Sequence, residues 1–341
     1  MDITAIYKEL SRLAGLSCRE RSAAETCLAL LRPLVDAAEI DAWGNVIGIK
    51  RCGVSNAPVL MFDAHIDQVG FYVTGPAGNG FFHIGETGMD MRLAPGLPVR
   101  VFTRDGQELP GMITCGTGEP SDKAVPGDKL YLDTGLSEVE AERLIHKDDP
   151  ILCDCPPYEL PGGLIYGPAA DDRACFAALL LMMEKLKGQK LAADIVIQGA
   201  CREEVGGPSA GNSAERIKPD LFFAVDVCHA KTPDNPGGEE FYKGPAIARQ
   251  GTSDPRVTKR LFELAEEYEI PHQEYVISYI SGTNAGEVQI KGKGYPCGVV
   301  SLPIRYMHAP YEVCCIEDLV SLSELLYRFA CDFHGFGKEN A

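Results

Sequence analysis

Val59-Leu-Met-Phe-Asp-Ala-His65 is an apolar run that stops at a histidine, and other apolar runs of the chain also stop at residues able to bind a divalent metal. Short runs of β-branched and aromatic residues without polar alternation are typical of strands buried on both faces of a sheet. Such sheets collect ligands at the carboxyl ends of their strands. The other runs are Leu164–Asp171, Ile195–Glu203, Leu221–Asp226 and Val299–His308.

The residues that end these runs predict a metal site assembled from separate segments. They offer two imidazoles and three or four carboxylates, from His65, Asp171, Glu203, Glu204, Asp226 and His308. That set suits two Zn²⁺-like or Co²⁺-like ions that share a bridging carboxylate, an arrangement that hydrolyses amide and phosphate bonds.

Spacing within each segment suggests individual roles. Asp67 follows His65 by two residues, hence on the same face of a strand end, where it could hold the ring nitrogen that a metal does not use. Asp171 is the better candidate for the bridge, because Asp172 could equally be a helix N-cap. Of the adjacent pair that follows Ile195–Ala200, one glutamate can bind a metal while its neighbour reaches a metal-bound water as general base.

Composition narrows the class of protein. With 341 residues, the chain is expected to form about two domains. A formal net charge of −17 argues against a nucleic-acid partner and against anionic membranes. The longest apolar run, Ala174–Met183, is shorter than the roughly 20 residues that span a bilayer.

The 13 cysteines do not predict a disulfide framework, because the count is odd, the chain is long and no secretory signal opens it. Reduced thiols and a cytoplasmic location are expected. Cys153-Asp-Cys155 and Cys314-Cys315 lack the spacing of a zinc finger.

The pattern along the chain predicts an α/β protein with an insertion. Helical patterns at about Ile3–Leu13 and Glu20–Ala38, the second broken near Pro33, precede a hairpin over Ile40–Lys50. Gly, Pro and short alternating runs then indicate a small all-β module, and strand and helix patterns alternate afterwards. We therefore expect a catalytic domain in two parts, residues 1–69 and 160–341, interrupted by a β domain at residues 70–159.

At these motifs the chain resembles the tetrahedral, TET-type aminopeptidases, a glutamyl-aminopeptidase-like group of di-metal peptidases. The similarity spans nearly the whole chain in the family's order. It is carried by Ala64–Phe71, Ala170–Arg173, Glu203–Gly206, Asp226–Ala230, Lys243–Pro245, Gly282–Gly286 and Arg305–Pro310, and in the β module by Phe82–Gly85 and Leu93–Val101.

The resemblance implies a three-layer αβα, zinc-peptidase-like catalytic domain with an inserted barrel-like domain. It implies that one metal is held by His65, Asp226 and the bridging Asp171, and the other by Asp171, Glu204 and His308. Glu203 would be the general base, Asp67 would support the ligands, and Gly282 and Thr283 would line the pocket for the first side chain. It also implies a cis peptide bond between Asp171 and Asp172.

Two positions depart from the family's pattern. Gln68 stands where the family usually has Glu, and Asn284 stands where Asp is frequent. Neither carries an implied metal ligand, so the departures bear on substrate binding and on ligand support.

The function expected from the resemblance is that of a metalloaminopeptidase with two divalent ions, zinc or cobalt, with manganese as a further candidate. Its partners would be short peptides and copies of itself, in dimers that build a dodecamer through the β module. Three alternatives stay open: another metal-dependent amide hydrolase such as a deacylase, a glucanase-like glycosidase, and a silent metal-binding subunit. Polysaccharide clefts usually depend on aromatic platforms, and Trp43 is the only tryptophan in the sequence. A silent subunit would have lost its general base, so the presence of Glu203 argues against it.

Overall fold

The computed structural model describes residues 1–115, 125–277 and 281–336. The described chain forms a mixed α/β domain and a closed β barrel inserted into it. The helices are α1 Ile3–Leu10, α2 Arg21–Leu31, α3 Glu138–Leu144, α4 Ala170–Lys185, α5 Ser209–Ile217, α6 Pro255–Glu267, α7 Asn284–Val288 and α8 Ile316–Asp332.

The strands divide between the large sheet and the barrel. Those of the large sheet are β1 Ala37–Ile40, β2 Val46–Lys50, β3 Val59–His65, β10 Tyr158–Leu160, β11 Leu164–Gly167, β12 Asp194–Ala200, β13 Leu221–His229, β14 Ala246–Arg249, β15 Gln273–Val276, β16 Cys297–Arg305 and β17 Glu312–Cys315. Those of the barrel are β4 Gly70–Gly78, β5 Phe81–Thr87, β6 Pro98–Phe102, β7 Glu108–Thr114, β8 Tyr131–Asp133 and β9 Pro150–Cys153.

The direction of the strands explains why the predicted ligands meet. The order across the large sheet is β1-β2-β12-β3-β13-β16-β17-β11-β10, with β14 and β15 attached beside β16. Strands β12, β3, β13 and β16 are parallel. Strand β11 points the same way, because two antiparallel pairings, through β17, separate it from β16. The carboxyl ends of β3, β11, β12, β13 and β16 therefore share one edge, where ligands collect.

Helices cover both faces of the large sheet, which gives the three layers that the resemblance implies. On one face α1, α2, α4, α6 and α8 pack on alternate strand residues such as Phe62 and Phe223, whose rings stack at 5.2 Å. On the other face α5 and α7 pack on the intervening residues, among them Met61 and Phe222. Helix α4 is buried around most of its surface because it lies between the sheet and the neighbouring helices α1 and α8.

The inserted domain is a closed barrel of six antiparallel strands in the order β4-β5-β8-β7-β6-β9. Closure leaves no free strand edge, and the interior is filled by its own apolar cluster, which includes Phe71, Val101 and Leu132. The barrel strands run from Gly70 to Cys153, and β10 already pairs with β11 in the large sheet. The boundary at residues 159 and 160 stays a prediction.

Two sequence-based expectations about individual elements were wrong. The second helix ends at Leu31 and a 3-10 turn carries the chain through Pro33, so that Ala37 and Ala38 begin strand β1. Asp226 does not end its strand, because Val227 and Cys228 continue the pairing of β13 with β16 as far as His229. Among the described residues, no helix is both long and apolar enough to cross a membrane.

Candidate metal centre

The structure brings five of the six predicted ligand and base residues to the lining of one cleft and places the sixth, His65, in contact with Asp171. His65 ends β3, and Asp171 lies in the first turn of α4, directly after β11. Glu203 and Glu204 form a 3-10 turn after β12. Asp226 lies on β13, and His308 follows β16. The cleft is lined by the side chains of Asp171, Glu203, Glu204, Asp226 and His308. His65 does not line it but contacts Asp171.

Asp171 presents one carboxylate oxygen to each histidine. Its Oδ1 lies 2.9 Å from His65 Nε2, and its Oδ2 lies 3.5 Å from His308 Nε2. Asp226 Oδ1 lies 4.0 Å from His65 Nε2, and Glu204 Oε2 lies 3.0 Å from His308 Nε2. The ligand atoms form two groups of three, each within 4.8 Å and both including Asp171.

The electrostatics of this cluster favour a bound cation. Burial raises the pKa of Glu203 and of Glu204, and it raises the pKa of Asp226 to about 7. Hydrogen bonds with Asp171 and Glu204 raise the pKa of His308 to about 11. In the absence of a metal, protonated imidazole thus supplies the positive charge that the carboxylates attract. Divalent metals would replace those protons, since metal binding requires neutral imidazole and ionised carboxylates.

The donor set also fits a metal chemically. Two imidazole nitrogens with carboxylate oxygens are ligands that Zn²⁺ accepts. The Oε1 atom of Glu204 is buried without a hydrogen-bond partner in the described part of the chain, which is a costly arrangement unless a ligand satisfies it. These residues therefore fit the metal that the sequence predicts.

Asp67 connects the imidazole of His65 to the glutamate turn. The backbone carbonyl of Asp67 lies 3.3 Å from His65 Nδ1, and its Oδ1 lies 3.5 Å from the same nitrogen. The carboxylate also accepts the backbone N–H groups of Glu203 at 3.1 Å and Glu204 at 3.3 Å, and the hydroxyl of Ser17 at 2.6 Å. One buried carboxylate thus orients a ligand and the turn that carries the base candidate.

Glu312 on strand β17 was missed by sequence reasoning. It is 1% exposed, and its two carboxylate oxygens accept the backbone N–H groups of Asp171 and His308, each at 2.9 Å. It therefore fixes two segments that carry predicted ligands, and it does not itself line the cleft. The only signal in the sequence is a glutamate at the start of the apolar stretch Val313-Cys-Cys315.

The start of α4 has irregular backbone where its acidic residues lie. Asp171 and Asp172 have non-helical dihedrals, and the peptide bond between them is cis, as the resemblance implies. Asp172 is fully buried, its Oδ2 accepts the backbone N–H of His65 at 3.0 Å and its Oδ1 has no hydrogen-bond partner among the described residues, so its carboxylate does not cap the helix.

Asn284 has a buried carboxylate as its neighbour. Its Nδ2 donates to Asp63 Oδ2 at 2.8 Å, below the wall of the cleft. An aspartate at position 284 would place two carboxylates in contact, which is unfavourable in a buried site. The amide at this position therefore has a physical reason in this chain.

The cleft that contains the centre has a volume of about 670 Å³, and Gly282 and Thr283 line it together with the ligands. A larger hollow, of about 810 Å³, lies between the catalytic domain and the barrel and is lined by Trp43 and Arg202. It contains none of the predicted ligands, so the smaller cleft is the candidate active site.

An αβα domain that gathers two histidines and four carboxylates at the carboxyl edge of its sheet defines a metal-dependent hydrolase. The chain belongs to the M42 glutamyl aminopeptidase family, whose profile matches residues 44–325. It is accordingly a peptide hydrolase of the aminopeptidase type, as the resemblance implies.

Individual relatives agree with this assignment. The chain is 29% identical over 301 residues to the lysyl aminopeptidase of Pyrococcus furiosus, covering 85% of both chains. An aminopeptidase structure from Desulfurococcus kamchatkensis superposes with a TM-score of 0.90 at 30% identity, over 97% of this chain and 95% of that one. The TET1 peptidase of Pyrococcus horikoshii, described as assembling into a tetrahedron or a large octahedral shell, has a TM-score of 0.86 at 25% identity, over 97% and 100%.

Proposed function

We propose that this aminopeptidase removes N-terminal residues from short peptides with two divalent metal ions and Glu203 as general base. The observation that carries the proposal is the position of Asp171, whose two oxygens face His65 and His308 separately. Asp226 completes one group and Glu204 the other. Two carboxylates of the cleft lie outside both groups, and Glu203, next to Glu204, is the base candidate, whereas Glu287 lies on α7.

Bound metal ions would lower the pKa of the attacking water and polarise the peptide carbonyl. The chain's own contribution is the proton transfer. Glu203 accepts the proton of the water and returns it to the leaving amine, and its buried, acid-rich surroundings, which raise its pKa, suit a group that must hold a proton transiently. Asp67 fixes the Glu203 backbone, and therefore the direction from which the carboxylate reaches the water.

The test of this function is hydrolysis of aminoacyl amides and short peptides by protein loaded with Zn²⁺, Co²⁺ or Mn²⁺. N-acetylated versions of the same substrates serve as matched controls, because an aminopeptidase needs a free N-terminal amine. Cleavage of free-amine substrates only is expected. Release of acetate from the N-acetyl compounds, with their aminoacyl amide bond intact, would instead identify a deacylase.

A glycosidase is the less favoured alternative. Trp43, the only tryptophan of the chain, lies in the larger hollow with Arg202 5.6 Å from its ring, and not in the cleft of the metal centre. Hydrolysis of a β-glucan by metal-stripped protein would favour this alternative.

Self-association into dimers and dodecamers through the barrel is also part of the proposal. Its support is the assembly named for the Pyrococcus horikoshii relative, together with large apolar side chains exposed on the inserted domain, Leu93, Met112 and Val139. A sedimentation measurement at micromolar concentration should find an oligomer, and monomer alone would contradict it. Zinc or cobalt as the metal, and the cytoplasm as the location, remain predictions.

A further inference from the structure

The wall of the cleft next to the metal centre is formed by residues of Ser281–Glu287, which includes most of α7. The hydroxyl of Thr283 caps the helix by accepting the backbone N–H of Ala285 at 3.3 Å, and it lies 2.8 Å from the hydroxyl of Ser281. Asn284, the first residue of α7, lines the cleft immediately beyond this cap. The wall thus presents a polar side chain, that of Asn284, to the cleft.

A buried chain of hydrogen bonds fixes the orientation of the Asn284 amide. The Oδ2 atom of Asp63 accepts from Asn284 Nδ2 at 2.8 Å, and its Oδ1 accepts from Gln198 Nε2 at 2.7 Å. Gln198 in turn accepts the hydroxyl of Ser213. Because each oxygen of Asp63 accepts an amide N–H in this arrangement, Asn284 directs its NH₂ group inwards. The carbonyl oxygen is the part of the amide that remains for a ligand.

The charges around this wall are predominantly negative. Asp63 is buried beneath it, and Glu287, one turn after Asn284, also lines the cleft. Lys291, which does not line the cleft, lies with its Nζ 3.3 Å from Glu287 Oε1 and offsets one of these charges. Glu287 and Lys291 offset each other, so no net positive charge is left among the three groups.

The remaining lining of the cleft supplies no strong partner for an anion. Among the described residues it contains neither lysine nor arginine, and its histidines are the ligand His308 and His229 at the end of β13. Gln250 can turn either end of its amide towards a ligand and so does not decide the preference. Ile277 and Val299 offer apolar surface to an aliphatic stem.

We propose that this wall selects peptides whose first residue is lysine or arginine and rejects those that begin with glutamate or aspartate. The inference rests on the aminopeptidase function proposed above and adds its substrate class. A basic side chain would place its aliphatic stem on the apolar surface and donate its terminal N–H groups to the Asn284 carbonyl. An acidic side chain would meet that same acceptor, with no lysine or arginine among the described lining residues to balance its charge. A site built for one hydrogen-bonding pattern discriminates strongly against the opposite one.

The first test is a panel of p-nitroanilides with the metal-loaded protein. Lysyl and norleucyl substrates form one pair, equal in length but differing in the ammonium group, and glutaminyl and glutamyl substrates form another. We expect kcat/KM for lysine to exceed that for glutamate by at least about tenfold and to exceed that for norleucine as well. A glutamyl substrate that matches the lysyl one, or a norleucyl substrate that is better than it, would overturn the inference.

The second test uses variants of the wall. Asp63→Asn allows the Asn284 amide to reverse, and Glu287→Gln removes a charge without changing size. Each should lower the ratio of lysyl to glutamyl kcat/KM by about tenfold, mainly through the KM of the lysyl substrate. Glu215→Gln is the matched control, since Glu215 bonds to Tyr295 away from the cleft and should leave the ratio unchanged.

The outcomes separate this inference from the function on which it rests. If no aminoacyl substrate is cleaved with any of the metals, the proposed function fails. If leucyl or glutamyl substrates are cleaved and lysine has no advantage, the function stands and the wall does not select as inferred. Metal content measured on Asp63→Asn excludes an indirect effect through the nearby His65. Should that variant fail to fold, the wild-type panel and Glu287→Gln decide.

Discussion

The carboxylate of Asp67 accepts the backbone N–H of Glu203 at 3.1 Å. This bond joins the strand end that carries a predicted metal ligand to the turn that carries the proposed base. The same carboxylate lies 3.5 Å from Nδ1 of His65, so a single buried group sets the orientation of both. Positioning of this kind is expected to affect metal affinity and turnover together.

Asp67→Asn should therefore weaken both properties. An asparagine offers one acceptor oxygen where the structure uses two, so its NH₂ group would face a backbone N–H of the Glu203–Glu204 turn or the hydroxyl of Ser17. Loss of a group that supports metal ligands typically costs about 10–100-fold in metal affinity or activity. Metal titration and peptide turnover measure the two effects, and a variant equal to wild type in both would contradict the assigned role.

Glu312→Gln tests the residue that sequence reasoning missed. Glutamine keeps the shape of Glu312 but has one acceptor, so either Asp171 N–H or His308 N–H would lose its buried partner. An unsatisfied buried group costs about 1–3 kcal/mol of stability. Denaturant unfolding of the metal-free protein should show this loss, and metal binding should weaken as well. Lower metal affinity with unchanged stability would mean that the loss of a negative charge, and not of a hydrogen bond, is the cause.

The sequence predicted that the candidate ligands meet at one edge and that Asp67 lies beside His65, but it did not predict the supports that come from distant segments. His65 and Glu203 each follow an apolar run, and runs that become strands of one direction must deliver their next residues to the same edge. Asp226 reached the cleft although its strand continues beyond it, because alternate residues of β13 face opposite sides of the sheet. The pattern of apolar residues therefore predicted which edge of the large sheet carries the site, but it did not predict the residue at which β13 ends.

The supporting contacts depend on pairs that are distant in sequence. Glu312 and Asp171 are 141 residues apart, and Asn284 and Asp63 are 221 apart. No local pattern indicates that a given carboxylate will accept from a given amide, since the partners meet only when the sheet and its helices pack. Family resemblance marked Asn284 as a departure, but only the packing against Asp63 gives the physical reason.

Metal removal should make stability depend on pH in a defined direction. In the metal-free protein the pKa of Asp226 rises from 3.8 to about 7, so the folded state binds a proton that the unfolded state has released. The pKa of His308 rises from 6.5 to about 11, and its stabilising charge is full below pH 6.5 and lost as pH rises to about 11. Both groups therefore reduce the stability of the metal-free protein as pH increases from about 4 upwards.

Metal binding should show the opposite dependence, because its ligands must release the same protons. The increase in Tm on addition of Zn²⁺ or Co²⁺ to chelator-treated protein should be larger at pH 8 than at pH 6. Thermal melts at both values, with Mg²⁺ as a control ion that prefers oxygen ligands, measure it. A metal-induced shift that is equal at the two pH values would argue against proton displacement from this cluster.

The adjacent glutamates provide the sharpest test of the proposed mechanism. Glu203→Gln removes a base but no ligand, so both metals should remain while kcat falls roughly 10²–10⁴-fold. The Michaelis constant should change little, because substrate binding is not altered. Glu204→Gln removes a partner of His308 in one ligand group, so its defect should appear first as weaker occupancy of one metal site, partly rescued by excess metal.

The two variants are matched controls for each other, since they make the same chemical change at neighbouring positions of one turn. Metal content by elemental analysis and turnover of a free-amine peptide are measured on both. If Glu203→Gln loses a metal and Glu204→Gln retains both, the roles are reversed. If both retain two metals and full activity, neither glutamate acts as proposed. The contacts favour the roles proposed here, because Asp67 holds the backbone of both residues and, of the two glutamates, Glu204 is the one that contacts His308, at 3.0 Å.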